Sequence, residues 1–379
     1  MAAGGHRSEI GEREVASVLR ARVCICVGAG GVGKTTIAAA LAVALAARGR
    51  RVAVVTIDPA PRLAGALGVR ELTSEPSPID LSSLAGSGVD ARGELWALRL
   101  DPKRTLDDLV ARLAGDERAR AEILANRIYR ELSSAVAGAQ ELSAVAKLYE
   151  LHHEHEFDVV VLDTPPAANA VDFLNAPRRL LAFLEGRALK VFLAPGGLAA
   201  RVFGRSTSIA FAIFARISGV DLLADLSTFF RSLGGVIDGF RERTRAVAAL
   251  LADPGTTFVV VTTPETEPAR QAVLLARELA SKRMRRGAIV FNRVQEWGLQ
   301  GRAPAEVRAA LAPRVGARLA ARAADNLADF DVLATRDRET IAAVGDQLGV
   351  DGVRCVPHFN EDVRDLATLA RVGDGLLDS

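Results

Sequence analysis

Aromatic side chains, methionine, cysteine and net charge are all in short supply in this chain of 379 residues. Aromatics make up 5% while hydrophobic residues reach 49%, so a core must be built from alanine, leucine and valine. That length exceeds one small core and suggests one large α/β domain or two modules. The three cysteines, Cys24, Cys26 and Cys355, have neither zinc-site spacing nor a disulfide framework. All three sit in apolar runs that read as strands, and alternation puts Cys24 and Cys26 on one face as small buried residues. Lys plus Arg total 48 against 46 for Asp plus Glu, a formal charge of +2, so nothing here requires a nucleic-acid partner. The uncharged run Thr35 to Ala47 is too short to span a bilayer, and the first residues, MAAGGHRSEIGEREVASVLRAR, are too polar for a signal peptide. The expectation is a cytoplasmic protein with no stable membrane insertion.

What the chain does have is a recurrence of short, β-branched apolar runs with helical patterns between them. They are Val23–Val27, Val52–Ile57, Leu95–Leu100, Val159–Leu162, Thr257–Val261, Ala288–Phe291 and Val353–Val356. Continuous apolar strands separated by helices predict an α/β fold, a mostly parallel sheet flanked by helices in three layers. Several runs end at a residue able to act on a ligand: Gly28, Asp58, Asp163 and Asn292. Open α/β sheets place their sites at those strand ends. The first helix reads from Lys34 to Arg48, with Gly49 as its C-terminal cap. Glu71 to Gly93, rich in Pro, Ser and Gly, reads as a surface loop. Residues 101–156 and 180–251 read as helical, more helix than one crossover needs, and predict an inserted helical subdomain on the ligand side of the sheet.

The stretch Gly28-Ala29-Gly30-Gly31-Val32-Gly33-Lys34-Thr35 is a complete phosphate-loop pattern between a strand and a helix. Glycines let the backbone N–H groups close on phosphates, and the helix N-terminus adds a favourable dipole. The loop residues Gly28, Gly30, Gly31, Val32, Gly33, Lys34, Thr35 and Thr36 are therefore the candidate nucleotide cradle. Lys34 is expected to reach the β- and γ-phosphates, and Thr35 to ligate Mg²⁺. Asp58, closing VAVVTID, is the candidate to orient or deprotonate an attacking water, against the alternative of a helix cap. Asp163, closing FDVVVLD, is the candidate second Mg²⁺ holder. Asn292 ends GAIVFN, and a carboxamide can pair with both a donor and an acceptor on adenine. The guanine signature Asn-Lys-x-Asp is absent, which favours ATP. In LHHEHEF, His152 and Glu156 stand four apart, a ligand-like spacing, yet the run reads better as a solvated helix end with His152, His153 and His155 near the C-terminal dipole. The basic run SKRMRR, residues 281–286, likewise reads as a solvated helix end.

Taken in order, these motifs resemble the arsenical-pump ATPase group, which includes the cytosolic ATPase that delivers tail-anchored membrane proteins. GAGGVGKTT resembles its deviant Walker A loop, TIDPAP its switch I, VVVLDTPPAANAVDFL its switch II, IVFNRV its adenine-side strand, and VRCVPHFNEDVRDLATL its last strand and helix. The resemblance implies a P-loop fold and a dimer with two facing ATP molecules. It also implies Asp58 as the water-activating residue, Thr35 and Asp163 at Mg²⁺, and Asn292 and Pro357 on the base side. Nucleotide state would open and close a hydrophobic groove, for which the Ala-, Leu- and Phe-rich segment from Leu180 to Phe240 is one candidate and a fixed core the other reading.

Four departures stand out. Ala29 replaces the group's second lysine, which reaches into the partner's site; Pro61 and Asn169 fall where histidines are usual; and the Cys-x-x-Cys clasp is missing, along with paired metalloid-binding cysteines. Soft metalloids need thiolates, so arsenite or antimonite transport is disfavoured. Adaptable client grooves tend to be rich in methionine, and only Met1 and Met284 occur. The expectation is a dimeric Mg-ATPase that handles a hydrophobic or protein client, slowed by the missing lysine, with Arg62 the nearest substitute cation. The alternatives are a weakly active subunit paired with a related ATPase and a positioning-type ATPase.

Overall fold

The structure is a computed structural model and describes residues 15–58, 60–127, 129–130, 133, 139–153, 157–164, 174–179, 181–182, 185–186, 234, 236–296, 298–299, 301–350, 353–359, 361 and 363–377. Most of the expected helical stretch 180–251, together with Asn169, His155 and Glu156, lies outside the described residues.

All seven apolar runs are strands of one sheet. They are β1 (Val23–Gly28), β2 (Arg51–Thr56), β4 (Glu94–Arg99), β5 (Val159–Asp163), β6 (Thr256–Thr262), β7 (Arg286–Val294) and β8 (Val353–Pro357), joined by a short β3 (Ser77–Ile79). The order is β3-β4-β2-β5-β1-β6-β7-β8, parallel except for the β3–β4 pair. Strands β1, β5 and β6 are buried at every position, because helices cover both faces.

The expected loop from Glu71 to Gly93 is corrected by this sheet: it contains β3 and a 3₁₀ turn, Ser82–Ser87. Three residues are too few to show a period, and Pro78, which lacks an N–H, is tolerable because β3 is an edge strand.

The two faces carry separate apolar cores. Cys24, Cys26, Val54, Val161 and Val259 point toward α1 (Lys34–Ala47) and α10 (Leu366–Leu377). Ile25, Val27, Val160, Leu162 and Val260 point toward α5 (Ala139–His153), α6 (Ile237–Ala252) and α7 (Thr266–Ser281). The alanine-rich α1 is buried from Ile37 to Ala46; it ends at Ala47 with Arg48 as its cap, one residue before the expected cap Gly49, which follows at φ 92°. Small residues let its partner approach closely. A Cβ on Gly373 of α10 would stand 2.4 Å from the Ala40 carbonyl oxygen and 2.5 Å from Ala44 Cβ. Enlarging that position should cost about 1–3 kcal/mol by overpacking.

Helices α3 (Pro102–Leu113) and α4 (Glu117–Ala125) start at Asp101 and Asp116, whose side chains accept from Arg104 N and Ala119 N. With α6 they enclose a small core of their own: Val110, Ile123, Tyr129 and Val236. After β7 comes a hairpin absent from the sequence reading, α8 (Pro304–Val315) and α9 (Ala317–Leu348). No residue of α8 is buried. Among the described residues, no helix is long and apolar enough to cross a membrane.

Candidate functional site

The loop between β1 and α1 takes its shape from glycine. Gly31 and Gly33 have φ of 78° and 90°, a region costly for any residue bearing a Cβ. A Cβ on Gly33 would also lie 2.2 Å from Asn292 Nδ2. Gly28, at the end of β1, packs so closely that a Cβ would fall 2.0 Å from the Val261 carbonyl oxygen. Val32 is buried beneath the loop and Gly30 is exposed at its crown. Helix α1 opens with no side-chain cap and no acidic residue in its first turn. No side chain caps its first N–H groups, the arrangement found where helix N-termini bind anions.

Lys34 is buried, and its Nζ donates to the Ala29 carbonyl at 2.8 Å. Burial lowers its pKa, opposed by the negative charges of Asp163 and Asp58. Ala29 is itself buried, its methyl part of the core on the α1 face.

Parallel register sets Thr56 of β2 and Cys26 of β1 directly beside Asp163 of β5. Thr35 Oγ1 and Thr56 Oγ1 both donate to Asp163 Oδ2, at 2.7 and 2.8 Å. The other carboxylate oxygen, Oδ1, is buried with no hydrogen-bond partner. Burial raises the Asp163 pKa, against the two threonine hydrogen bonds and the Lys34 charge, which lower it. Asp58 lies one step further out. Its N–H donates to Thr56 Oγ1 at 3.2 Å, its Oδ1 accepts from Ala60 N at 2.9 Å, and its Oδ2 accepts from Arg62 Nη1 at 2.9 Å. Arg62, Asp58, Thr56, Asp163 and Thr35 thus form one continuous chain of hydrogen bonds. Thr56 was missed in the sequence, although it stands two residues before Asp58, on the same side of an extended strand end.

On the far side, β7 breaks register between Phe291 and Val294, with Arg293 at φ 61°. Such bulges re-aim side chains. Here Asn292 turns under the loop, its Nδ2 donating to the Val32 carbonyl at 2.9 Å.

A cleft of about 1170 Å³ joins these parts. Gly31, Gly33, Lys34, Thr35, Thr36, Asp58 and Asp163 line one end, and Asn292, Pro357, Phe359 and Val363 the other. Gly28, Gly30 and Val32 shape the loop without lining the cleft. Pro61 precedes the short helix α2 (Arg62–Ala66).

The donor set suits a hard divalent cation: a threonine hydroxyl and a carboxylate with an unused buried oxygen. Among the described residues no group of three His, Cys, Asp or Glu could hold a metal alone, so such an ion would share its shell with phosphate and water. Cys26 is no competing ligand, because burial pushes its thiol pKa well up. His152 is half-buried, its pKa lowered by burial and by His153, and His153 stacks on Tyr149 with ring centroids 4.2 Å apart.

Comparison with known proteins identifies a family. The family model described as anion-transporting ATPase matches residues 21–297. ATPase ARSA2 of Chlamydomonas reinhardtii is 28% identical over 245 residues, 64% of this chain and 59% of its own. ATPase GET3 of Malassezia globosa is 27% identical over 244 residues, 64% of this chain and 63% of its own. An uncharacterized protein of Streptomyces coelicolor is 28% identical over 248 residues, 65% of this chain and 56% of its own. The chain therefore spans less than two thirds of the length of each of these relatives. The matched region holds the glycine loop, Asp58, Asp163 and Asn292, while β8 and α10 lie beyond it. From the loop to the bulged strand, the chain belongs to the anion-transporting ATPase family.

Proposed function

We propose that this chain binds Mg²⁺–ATP in the cleft and hydrolyses it. The observation that carries the reading is Asp163, a buried carboxylate with one oxygen fixed by Thr35 and Thr56 and the other unused, at the mouth of an uncapped glycine loop. Thr35 and Asp163 would hold the cation, which neutralises charge on the β- and γ-phosphates. Backbone N–H groups from Gly31 to Thr36 would cradle the phosphates, with Gly28, Gly30 and Val32 holding the loop's shape. Lys34 would exchange the Ala29 carbonyl for phosphate oxygens. That trade gives a buried ammonium a charged partner in place of a dipole. Asp58 would orient the attacking water. Asn292 spends an amide hydrogen on the loop and keeps Oδ1 for the base, with Pro357 and Phe359 forming its apolar seat.

The family resemblance carries the reading further. It suggests a cytoplasmic dimer in which nucleotide state sets the opening and a hydrophobic or protein client is handled at the helices. Ala29 favours one variant of it, a subunit paired with a related ATPase, because the buried methyl offers no cation to a facing site.

The test is ATP turnover and oligomeric state of the purified chain with Mg²⁺, as wild type, Asp58→Asn and Ala29→Lys. Turnover by a homodimer, abolished in Asp58→Asn, supports the enzyme. Tight binding without turnover, rescued by Ala29→Lys, supports the paired subunit. Absence of Mg²⁺-dependent nucleotide binding overturns both, and stimulation by DNA or lipid would point instead to a positioning ATPase.

A further inference from the structure

Two cations flank the phosphate end of the cleft, and they are held very differently. Lys34 is buried and bonded to the loop. Arg62 opens α2 with 70% of its side chain exposed, and its Nη1 rests on Asp58 Oδ2 at 2.9 Å. Both line the same cavity as Thr35 and Asp163, and the charges of Asp58 and Arg62 are felt at Lys34.

Building on the ATPase reading, we propose that Arg62 is a catalytic residue that engages the γ-phosphate in cis and alternates between that phosphate and Asp58. Three observations carry this. The Arg62 side of its ion pair with Asp58 is 70% exposed, where water screens the attraction, so the pair is readily exchanged. A guanidinium prefers a phosphate group, which offers two parallel charge-assisted hydrogen bonds and more negative charge than one carboxylate oxygen. In the present arrangement each oxygen of Asp58 already accepts a hydrogen bond, Oδ1 from Ala60 and Oδ2 from Arg62. Each oxygen has room for a second donor, and departure of Arg62 removes the competing cation from Oδ2, leaving its negative charge to draw the water's proton. The buried alanine at position 29 leaves the loop itself with no second cation for this task.

The step balances without further reagents. A bond forms from the water oxygen to the γ-phosphorus, and the bond from that phosphorus to the bridging oxygen breaks. The leaving ADP oxygen takes the electron pair, stabilised by Lys34. The water proton passes to Asp58 Oδ2 and then to the released phosphate. Arg62 spans the equatorial oxygens, where charge is spread in the transition state.

The test compares wild type, Arg62→Ala and Arg62→Lys. It measures affinity for ADP and for a β,γ-non-hydrolysable ATP analogue, both with Mg²⁺, alongside ATP turnover. Arg62→Ala should weaken the analogue roughly five- to tenfold, leave ADP within twofold, and lower kcat by ~10²–10³-fold, as loss of a preorganised electrostatic contact does. Arg62→Lys should fall between, keeping charge but losing the planar fork. Equal losses for ADP and the analogue, or turnover that stays level or rises as Asp58 is released, would overturn the assignment. If the wild type binds both nucleotides without turnover, the affinity difference alone decides. If it binds neither, the ATPase reading falls and takes this one with it; if it binds and turns over while Arg62→Ala matches it, only Arg62 is wrong.

Discussion

The two ends of the cleft are built on different principles. At the phosphate end, each key side chain is tied by a hydrogen bond of 3.2 Å or less: Lys34 to the loop, Thr35 and Thr56 to Asp163, Arg62 to Asp58. Strand register does the positioning, since Thr56 and Asp163 are neighbours in the ladder. The other end is a bulged strand at the edge of the sheet, where the apolar Val356, Pro357, Phe359 and Val363 are rimmed by Arg293, His358, Glu361 and Arg364. Directional bonds fix atoms within tenths of an ångström, whereas apolar surfaces fix only shape. On the proposed ATPase reading, chemistry belongs at the first end, and holding at the second.

That contrast predicts where substitutions bite hardest. Lys34→Ala should lower turnover by ~10²–10³-fold through lost charge stabilisation in a water-poor site. Asp58→Asn should lower it by ~10²–10⁴-fold, the range for a positioned general base, with nucleotide affinity changed less than threefold. Steady-state kinetics beside equilibrium nucleotide titration checks both. Comparable losses in affinity and rate for Asp58→Asn would make Asp58 a binding residue and blur the distinction.

Gly33 and Phe359 set the ends against each other. Gly33→Ala forces a Cβ into the left-handed region and onto Asn292, so it should cost about 1–3 kcal/mol of stability and abolish detectable nucleotide binding. Phe359→Ala removes an apolar surface, and should weaken ATP and ADP alike by about fivefold to a hundredfold, with kcat nearly unchanged. Thermal melts and paired ATP and ADP titrations separate these outcomes. A kcat loss in Phe359→Ala as large as its affinity loss would break the division of labour.

The phosphate end was legible in the sequence because glycine spacing and strand-end acids are local. Gly33, Lys34, Thr35, Asp58 and Asp163 are each read from neighbours within a few residues, and the structure places all five around one cavity. Thr56 escaped because its role depends on which strand lies beside it, and β2 meets β5 across more than a hundred residues of chain. Asn292 was visible as a strand-end carboxamide, yet its bond to Val32 follows from a bulge that no pattern announces. The same holds for fold. Seven strands declared themselves by their apolar runs, while β3 is too short and the α8–α9 hairpin too evenly mixed in polarity. Ala29 was legible as an absence; only the packing shows its methyl turned into the core.

The smallest expected effect is also the sharpest probe of the phosphate end, because it isolates Asp163. Burial raises the pKa of this carboxyl in the folded protein more than Thr35, Thr56 and Lys34 lower it. Below the ordinary carboxylate value, about 4, both folded and unfolded states carry the proton and the site costs nothing. As pH rises past that value the unfolded chain releases its proton first, so the folded state binds more protons and stability falls. The fall ends once pH passes the raised folded value, and the full cost then persists. Asp163→Asn cannot ionise, and whatever its amide loses in hydrogen bonding is the same at every pH. Its melting temperature relative to wild type should therefore climb between pH 4 and 7, by about 1–3 °C for a chain of this size. Saturating Mg²⁺–ATP should remove the wild-type slope, because a cation at Oδ1 favours the ionised carboxylate. Melting curves at four pH values, with and without nucleotide, read both effects. Parallel curves for variant and wild type would mean that the unused oxygen of Asp163 is solvated after all, and the contrast between a tightly specified phosphate end and a looser base end would lose its central residue.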